Sequence, residues 1–326
     1  MGDREARISR FLDGAGWAGA KRVPIAGDLS ARRYFRLTGT GCETAILMDA
    51  DPRFDASTPR FVEVTNWLRG ADLSVPEILS GAADDGLLLL EDLGDNKVSD
   101  VVNAEPSLRN EIYLLSLELI DRVQGRSFDG LHSPGPQELV DLCRIVDEHY
   151  PRLDQTRMKP FLTVLETVLT EILTEPPVVS LRDFHADNLI WLPEHAGVRR
   201  LGILDYQDAF LTHPIYDVVS LLTDARTDIE PEFRAKMVEV YAQRCGKDLA
   251  AVKLAFAAFS AQRNLRILGI FARSASRDGK PVHLPKMPRV YGYLTEALQH
   301  PAFAEVAEDT IAAIPPPTPE LIGALA

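Results

Sequence analysis

An α+β fold, with a small β-rich N-terminal lobe and a larger, mostly helical C-terminal lobe, is predicted by three observations. Short apolar runs of strand character crowd residues 1–93. From residue 94 to 326, long stretches repeat apolar residues at three- and four-residue intervals, the helical period. Within that helical part, residues 178–208 (VVSLRDFHADNLIWLPEHAGVRRLGILDYQD) place two apolar runs around a polar turn.

Taken in order, Ile8, Phe11 and Leu12 set the helical spacing of residues 4–18, which end in a glycine-rich stop. Gly27 and Ser30 then occupy a turn, GDLSAR, ahead of an alternating run with Tyr34, Phe35 and Leu37. A strand–turn–strand of this composition can bring backbone N–H groups to phosphates. There is no GxGxxG and no Walker A pattern, so a P-loop NTPase is not expected. Residues 45–49 (AILMD) read as the next strand, and Phe61, Val64, Trp67 and Leu68 as the face of a helix. Two further strands are expected over 75–79 and 86–91, with a break near 93–96.

Beyond it, Leu108, Ile112, Leu115, Leu119 and Val123 form one apolar stripe ending at Gly125. A Gly-, Pro- and Ser-rich loop precedes helices over 139–150 and 161–173, the second stopped by Pro176 and Pro177. After the polar hairpin, Pro214 opens another helix. Helices over 233–245, 249–272 and 290–298 follow, the middle one carrying Arg263, Asn264 and Arg266 in an apolar pattern. A Pro-rich stretch, IPPPTP, marks the tail.

The chemistry concentrates in the hairpin. Asp183, His185, Asp187 and Asn188 precede the first apolar run, and Asp205, Gln207 and Asp208 follow the second. Closing an antiparallel hairpin brings both clusters to one end. Asp183, Asn188 and Asp205 could then converge as an oxygen-rich set suited to magnesium, with one carboxylate left to act as a base. The plainer alternative is a hairpin with solvated acidic ends, but three residues in ordered spacing ask for a common cause.

Composition sets the outer bounds. The 326 residues are 46% hydrophobic and 25% charged, as in an ordinary soluble globular protein. A formal charge of −13 argues against a nucleic-acid or anionic-membrane binder, though a local arginine cluster can still hold an anionic substrate. Cys42, Cys143 and Cys245 are far apart and form no CxxC, which suggests neither a disulfide framework nor a zinc site. The N-terminus is too charged for a signal peptide, Ala6 breaks the myristoylation pattern, and no apolar run is long enough to span a membrane. A cytoplasmic protein is expected.

Residues 181–188, LRDFHADN, keep the spacing of the protein-kinase catalytic loop H-R-D-L-x-x-x-N, and Asp205-Tyr206-Gln207 stands where D-F-G would. The run ending EDLG resembles an adenine-binding hinge. Over almost its whole length the chain resembles kinase-fold phosphotransferases of the aminoglycoside phosphotransferase/choline kinase group. Within that group it is most similar to bacterial kinases that phosphorylate N-acetylmuramate and N-acetylglucosamine at the anomeric hydroxyl. GDLSARRYFRL, AILMDADP, LRDFHADNLIWLP with ILDYQDA, and QRNLRILGIFARSASRDGK carry this likeness.

The resemblance implies a bilobal protein-kinase-like fold, ATP and Mg2+ as cofactors, an amino-sugar acceptor and a place in peptidoglycan recycling. It makes Asp183 the base and Asn188 and Asp205 the magnesium ligands. Gly27, Ser30 and Arg33 would lie over the phosphates, and Glu91 and Leu93 would form the hinge. Asp217 would brace the catalytic loop, or serve as a carboxylate at a helix N-terminus. His185, Asp187, Asp208, Arg263 and Arg266 would contact the acceptor, the arginines matching a lactyl carboxylate.

Two other readings stay open: an aminoglycoside-, choline- or homoserine-type kinase using Asp187, Asp208 and Asp224, and a non-catalytic nucleotide-binding pseudokinase. Two departures bear on the second. Leu181 replaces the usual His and is expected to pack. Met48 stands near the place of the phosphate-binding lysine, a loss that would weaken ATP orientation unless Arg32, Arg33 or Arg36 supplies the charge; Arg33 ranks first, and strand alternation decides.

Overall fold

The structure, a computed structural model, describes residues 2–25 and 32–325, so the phosphate-loop residues Gly27 and Ser30 lie outside the described residues. The chain forms two compact units, residues 1–101 with 188–208 and residues 102–187 with 209–326. The sequence boundary at residue 93 therefore differs from the observed division in one main respect. The hairpin segment 188–208 belongs to the N-terminal unit.

That unit is built on an antiparallel sheet of order β1-β2-β3-β5-β4. Its strands are β1 (Lys21–Ile25), β2 (Arg33–Thr38), β3 (Thr44–Asp49), β4 (Ile78–Ala82) and β5 (Leu87–Glu91). Helix α1 (Gly2–Gly14) precedes the sheet and α2 (Thr58–Arg69) lies between β3 and β4 in sequence. Strand alternation defines the core: Leu37, Ala45, Leu47, Leu87 and Leu89 cluster with Ile8 and Leu12 of α1. β1 is exposed along its whole length and carries Pro24, which an edge strand tolerates because one ladder side needs no donor.

Arg4 of α1 donates through Nε to Asp49 Oδ1 at 2.9 Å, and Arg33 pairs with the other oxygen of Asp49. Asp49 is 1% exposed, so this pairing offsets the cost of a buried carboxylate. Gly86 enters β5 at φ 66°, and a Cβ there would meet Ala50 O at 1.7 Å. Only glycine fits that turn.

The hairpin of β7 (Leu189–Trp191) and β8 (Leu201–Ile203) completes the first unit. Isolated bridges Ser74↔Gly202 and Lys97↔Ile190 fasten it there.

Helix α3 (Val98–Ala104) carries the chain from one unit into the other. The second unit contains α4 (Arg109–Gln124), α5 (Pro136–Asp141), α6 (Ile145–His149) and α7 (Gln155–Ile172), then β6 (Val178–Ser180) and β9 (Phe210–Thr212) paired antiparallel. After β9 come α8 (Tyr216–Leu222), α9 (Pro231–Cys245), α10 (Leu249–Ser276), α11 (Met287–Ala297), α12 (Ala307–Ala313) and α13 (Pro319–Gly323). The long, largely buried α10 packs against α6, α8 and α11. At Gly269 the α6 backbone comes so close that a Cβ would meet Val146 N at 2.8 Å. Among the described residues, no helix is long and apolar enough to cross a membrane.

Candidate active site

In the N-terminal unit, the hairpin register pairs Leu189 with Ile203, and Leu204 N donates to Asn188 O at 2.9 Å. Asn188 and Asp205 consequently flank the same end of the hairpin. Asp205 holds a left-handed φ of 56°, a conformation that costs a non-glycine residue on the order of 1–2 kcal/mol. Its neighbour supplies the compensation. Tyr206 is fully buried, stacks on Phe61 of α2 at 5.1 Å and shares a 2.8 Å hydrogen bond with the Thr65 hydroxyl. Gln207 Nε2 donates to Asp205 Oδ1 at 3.0 Å and to Asp208 Oδ2 at 3.1 Å.

No cluster of three or more His, Cys, Asp or Glu side chains able to hold a metal occurs among the described residues. An amide oxygen at Asn188 and a carboxylate at Asp205, at one end of the hairpin, would together offer a hard donor pair with few protein ligands. Such a donor set fits Mg2+, which usually keeps waters and takes phosphate oxygens beside one or two protein ligands.

The arginines of β2, and Arg32 just before it, have separate partners. Arg33 points to Asp49 and is 53% exposed, while Arg36 holds Asp92 and Asp95 at 2.8 and 2.7 Å. Arg32 is buried and sets Nε 3.0 Å from Asp55 Oδ2, with Nη2 3.9 Å from Asp208 Oδ2. Met48 is wholly buried. Glu91 and Leu93 line a polar cavity of about 420 Å³ together with Arg69, Glu77 and Arg199. Glu91 N donates to Glu77 O at 2.8 Å.

In the second unit, β6 leads into the loop that carries Asp183. Leu181 is buried, Asp183 N donates to Leu181 O at 2.8 Å, and His185 N donates to Asp183 O at 3.1 Å. Arg182 takes a left-handed φ of 70°. Asp217, wholly buried at the start of α8, accepts from Ser180 Oγ (2.7 Å), Leu181 N (2.8 Å) and Arg182 N (3.1 Å). Burial pushes its carboxyl up to about 6, while the Ser180, Leu181 and Arg182 hydrogen bonds oppose that rise.

Arg263 of α10 holds the same loop from a second direction. Its Nη1 donates to Arg182 O at 2.9 Å, and Nη2 donates to Ser220 Oγ at 2.7 Å. Nη2 also stands 3.9 Å from Asp183 Oδ1. The Asp183 side chain is 46% exposed and thus open to a substrate.

One turn farther along α10, half-buried Arg266 has its pKa lowered by burial, with Arg182 and Arg263 adding to the effect and Tyr216 and Asp183 opposing it. Asp183 therefore sits among three arginines, in a protein of net charge −13.

The remaining expected acceptor contacts disperse. Asp208 lies beside Arg32 in the first unit. Asp187 pairs with Arg226 at 3.3 Å, and His185 is 8% exposed. Asp224, considered as a cation-binding carboxylate, is buried instead. It accepts from Arg226 N (2.9 Å), Thr227 Oγ1 (3.3 Å) and the Ala186 backbone, which secures the far end of the Asp183 loop. Sequence reading missed this anchor, although Asp217 and Asp224 both interrupt the apolar run IYDVVSLLTDA. A carboxylate in such a run must find donors.

Residues 21–254 match the phosphotransferase enzyme family (APH), and the chain belongs to that family. It is a kinase in that sense: a phosphotransferase with an α+β kinase-like fold. It is 32% identical to the N-acetylmuramate/N-acetylglucosamine kinase of Caulobacter vibrioides, over 93% of this chain and 95% of that one. A protein of the same name from Pseudomonas aeruginosa is also 32% identical, over 89% and 87% of the two chains.

Two solved structures share the fold. A choline/ethanolamine kinase family protein from Mesorhizobium loti superposes with a TM-score of 0.65 at 12% identity, covering 95% of this chain and 99% of that one. The ADP-bound aminoglycoside phosphotransferase APH(2'')-Ib gives 0.59 at 13% identity, covering 92% and 97%.

Proposed function

We propose that this chain is an ATP- and Mg2+-dependent kinase that phosphorylates the anomeric hydroxyl of N-acetylmuramate and N-acetylglucosamine. The observation that carries the acceptor class is the arginine environment of Asp183. A cationic acceptor such as choline or an aminoglycoside would be repelled by Arg182, Arg263 and Arg266, whereas a neutral or carboxylate-bearing sugar would not. The names of the Caulobacter and Pseudomonas relatives point the same way.

In the proposed reaction Asp183 accepts the proton of the C1 hydroxyl. That oxygen forms a bond to the γ-phosphorus, the bond to the β,γ-bridging oxygen breaks, and ADP leaves with the electron pair. An anomeric hydroxyl is more acidic than an ordinary alcohol, so the demand on the base is modest. Asn188 and Asp205 are the residues that would hold magnesium, which would supply positive charge to the polyphosphate. Positioning does most of the remaining work. Asp217, Asp224 and Arg263 fix the loop that presents Asp183, and Arg266 receives the lactyl carboxylate of N-acetylmuramate.

Initial rates with N-acetylmuramate, N-acetylglucosamine, choline, homoserine and kanamycin test the assignment. The two N-acetyl sugars should give the highest kcat/KM by about 100-fold or more, the scale on which a polar site rejects a mismatched group. A preference for any amine-bearing acceptor would refute it.

A further inference from the structure

We infer that Arg32, held by Asp55, is the phosphate-binding cation of this kinase and takes the place of the lysine that β3 lacks. The inference rests on the kinase reading above and adds the residue that contacts the nucleotide's phosphates.

The register of β2 and β3 supplies the geometry. Tyr34 lies opposite Met48 and Arg33 opposite Asp49. Residues opposite each other across an antiparallel pair share a face, so Met48 and Tyr34 project from one face and Asp49, Arg33, Phe35 and Leu37 from the other. The second face is the one packed on α1 through Leu37 and Leu47. Arg32 precedes the strand proper, and its side-chain hydrogen bond with Tyr34 sets it on the Met48 face. A diagonal neighbour of this kind lies about 7–8 Å away, within reach of a long side chain. An arginine at 32 can therefore deliver its guanidinium to the region a lysine at 48 would serve.

The surroundings of the three arginines decide among them. Arg33 is committed to Asp49 beside Arg4, and Arg36 to Asp92 and Asp95. Arg32 shares its environment with Asp205, the proposed magnesium ligand, and with Asp208 and Tyr34. At 8% exposure it is buried, and Asp55 Oδ2 stands 3.0 Å from its Nε. Asp55 is itself fixed by the Ser57 N–H at 2.9 Å. A buried, anchored cation near the metal ligand is the electrostatic part that β3 no longer provides. Arginine adds a planar fork that matches phosphate oxygens better than a point charge.

The test is calorimetric titration of the full chain with Mg2+ and a non-hydrolysable ATP analogue, and separately with adenosine. Arg32→Met should weaken binding of the analogue by about 10- to 100-fold, the range for losing a charge-assisted contact, and leave adenosine affinity within about 2-fold. Arg33→Met, at the rival position whose side chain is paired with Asp49, should weaken analogue binding less than Arg32→Met does. Adding Met48→Lys to Arg32→Met should restore most of the lost affinity.

If Arg32→Met does not fold, Asp55→Asn decides. It keeps an acceptor for Ser57 N but removes the charge that anchors Arg32, and it should cost about 3- to 10-fold in analogue affinity alone. Unchanged affinity in Arg32→Met, or in Asp55→Asn where that variant decides, would overturn the inference. A wild-type chain that binds no ATP analogue would instead overturn the kinase reading, so the two failures are distinguishable.

Discussion

Arg263 sets a guanidinium nitrogen 3.9 Å from the Asp183 carboxylate while its other terminal nitrogen donates to the Arg182 carbonyl. One side chain of α10 thus ties the backbone of the loop and sets a positive charge beside the carboxylate on it. Asp217 ties the same loop from α8, and Asp224 secures its end at Ala186. Three buried charged groups are spent on presenting one half-exposed carboxylate, an arrangement that a merely solvated acidic loop would not require.

If Asp183 is the base, Asp183→Asn should lower kcat by about 10²- to 10⁴-fold and leave nucleotide affinity near that of the wild type. Steady-state turnover and fluorescent-nucleotide titration check the two halves. Wild-type turnover in the variant would remove Asp183 from the role.

The two arginines of α10 should separate in kinetics. Arg266→Met should raise KM for N-acetylmuramate by about 10- to 100-fold with little change for N-acetylglucosamine, which has no lactyl carboxylate to lose. Arg263→Met should lower kcat for both sugars, because it loosens the loop rather than the substrate. Equal effects of Arg266→Met on both sugars would count against a carboxylate contact.

Asp205→Ala should raise the Mg2+ concentration for half-maximal rate by about 10- to 100-fold or more, since even outer partners of a metal site contribute that much. Magnesium titration of the rate reads this directly. An unchanged magnesium curve would move the site elsewhere.

Asp217 predicts opposite pH trends for activity and stability. Its folded pKa, about 6, lies above the ordinary value of 3.8, so the stability it contributes is fully present below pH 4 and lost as pH rises through 6. The loop, in contrast, uses the ionised carboxylate to accept from Leu181 N and Arg182 N. Activity should therefore rise over pH 5–7 while the wild type loses stability relative to Asp217→Asn. Urea unfolding of both proteins at pH 4, 5.5 and 7 gives the second trend. A stability difference that does not vary with pH would contradict it.

Arg4→Ala removes one partner from buried Asp49 and leaves Arg33 as its remaining counter-charge. With Arg33 still in place, losing these charge-assisted hydrogen bonds costs about 2 kcal/mol, which should appear as a lower urea midpoint. A midpoint equal to that of the wild type would show that α1 does not depend on this tie.

Local pattern carried much of the fold. The alternation of Phe35 and Leu37, the stripe from Ile112 to Val123, and the runs 189–192 and 201–204 each became the element their period implied. What escaped reading depended on partners distant in sequence. β6 pairs with β9 across 30 residues, so the stretch 178–208 is a short hairpin flanked by a separate ladder rather than one unit. β1 has no buried face to betray it, and the helix expected over 139–150 is divided into α5 and α6 by a 3-10 turn at Leu142–Arg144. The same limit explains the arginines. Whether position 32 or 33 faces Asp205 depends on the register with β3, a non-local quantity that one-residue alternation reverses.

Phosphorus NMR of the product made from N-acetylmuramate and ATP tests the central assignment most directly. The account predicts one new phosphomonoester resonance coupled to the anomeric proton, formed by the wild type and nearly absent with Asp183→Asn. A phosphate coupled to any other sugar position, or an undiminished resonance with Asp183→Asn, would contradict it.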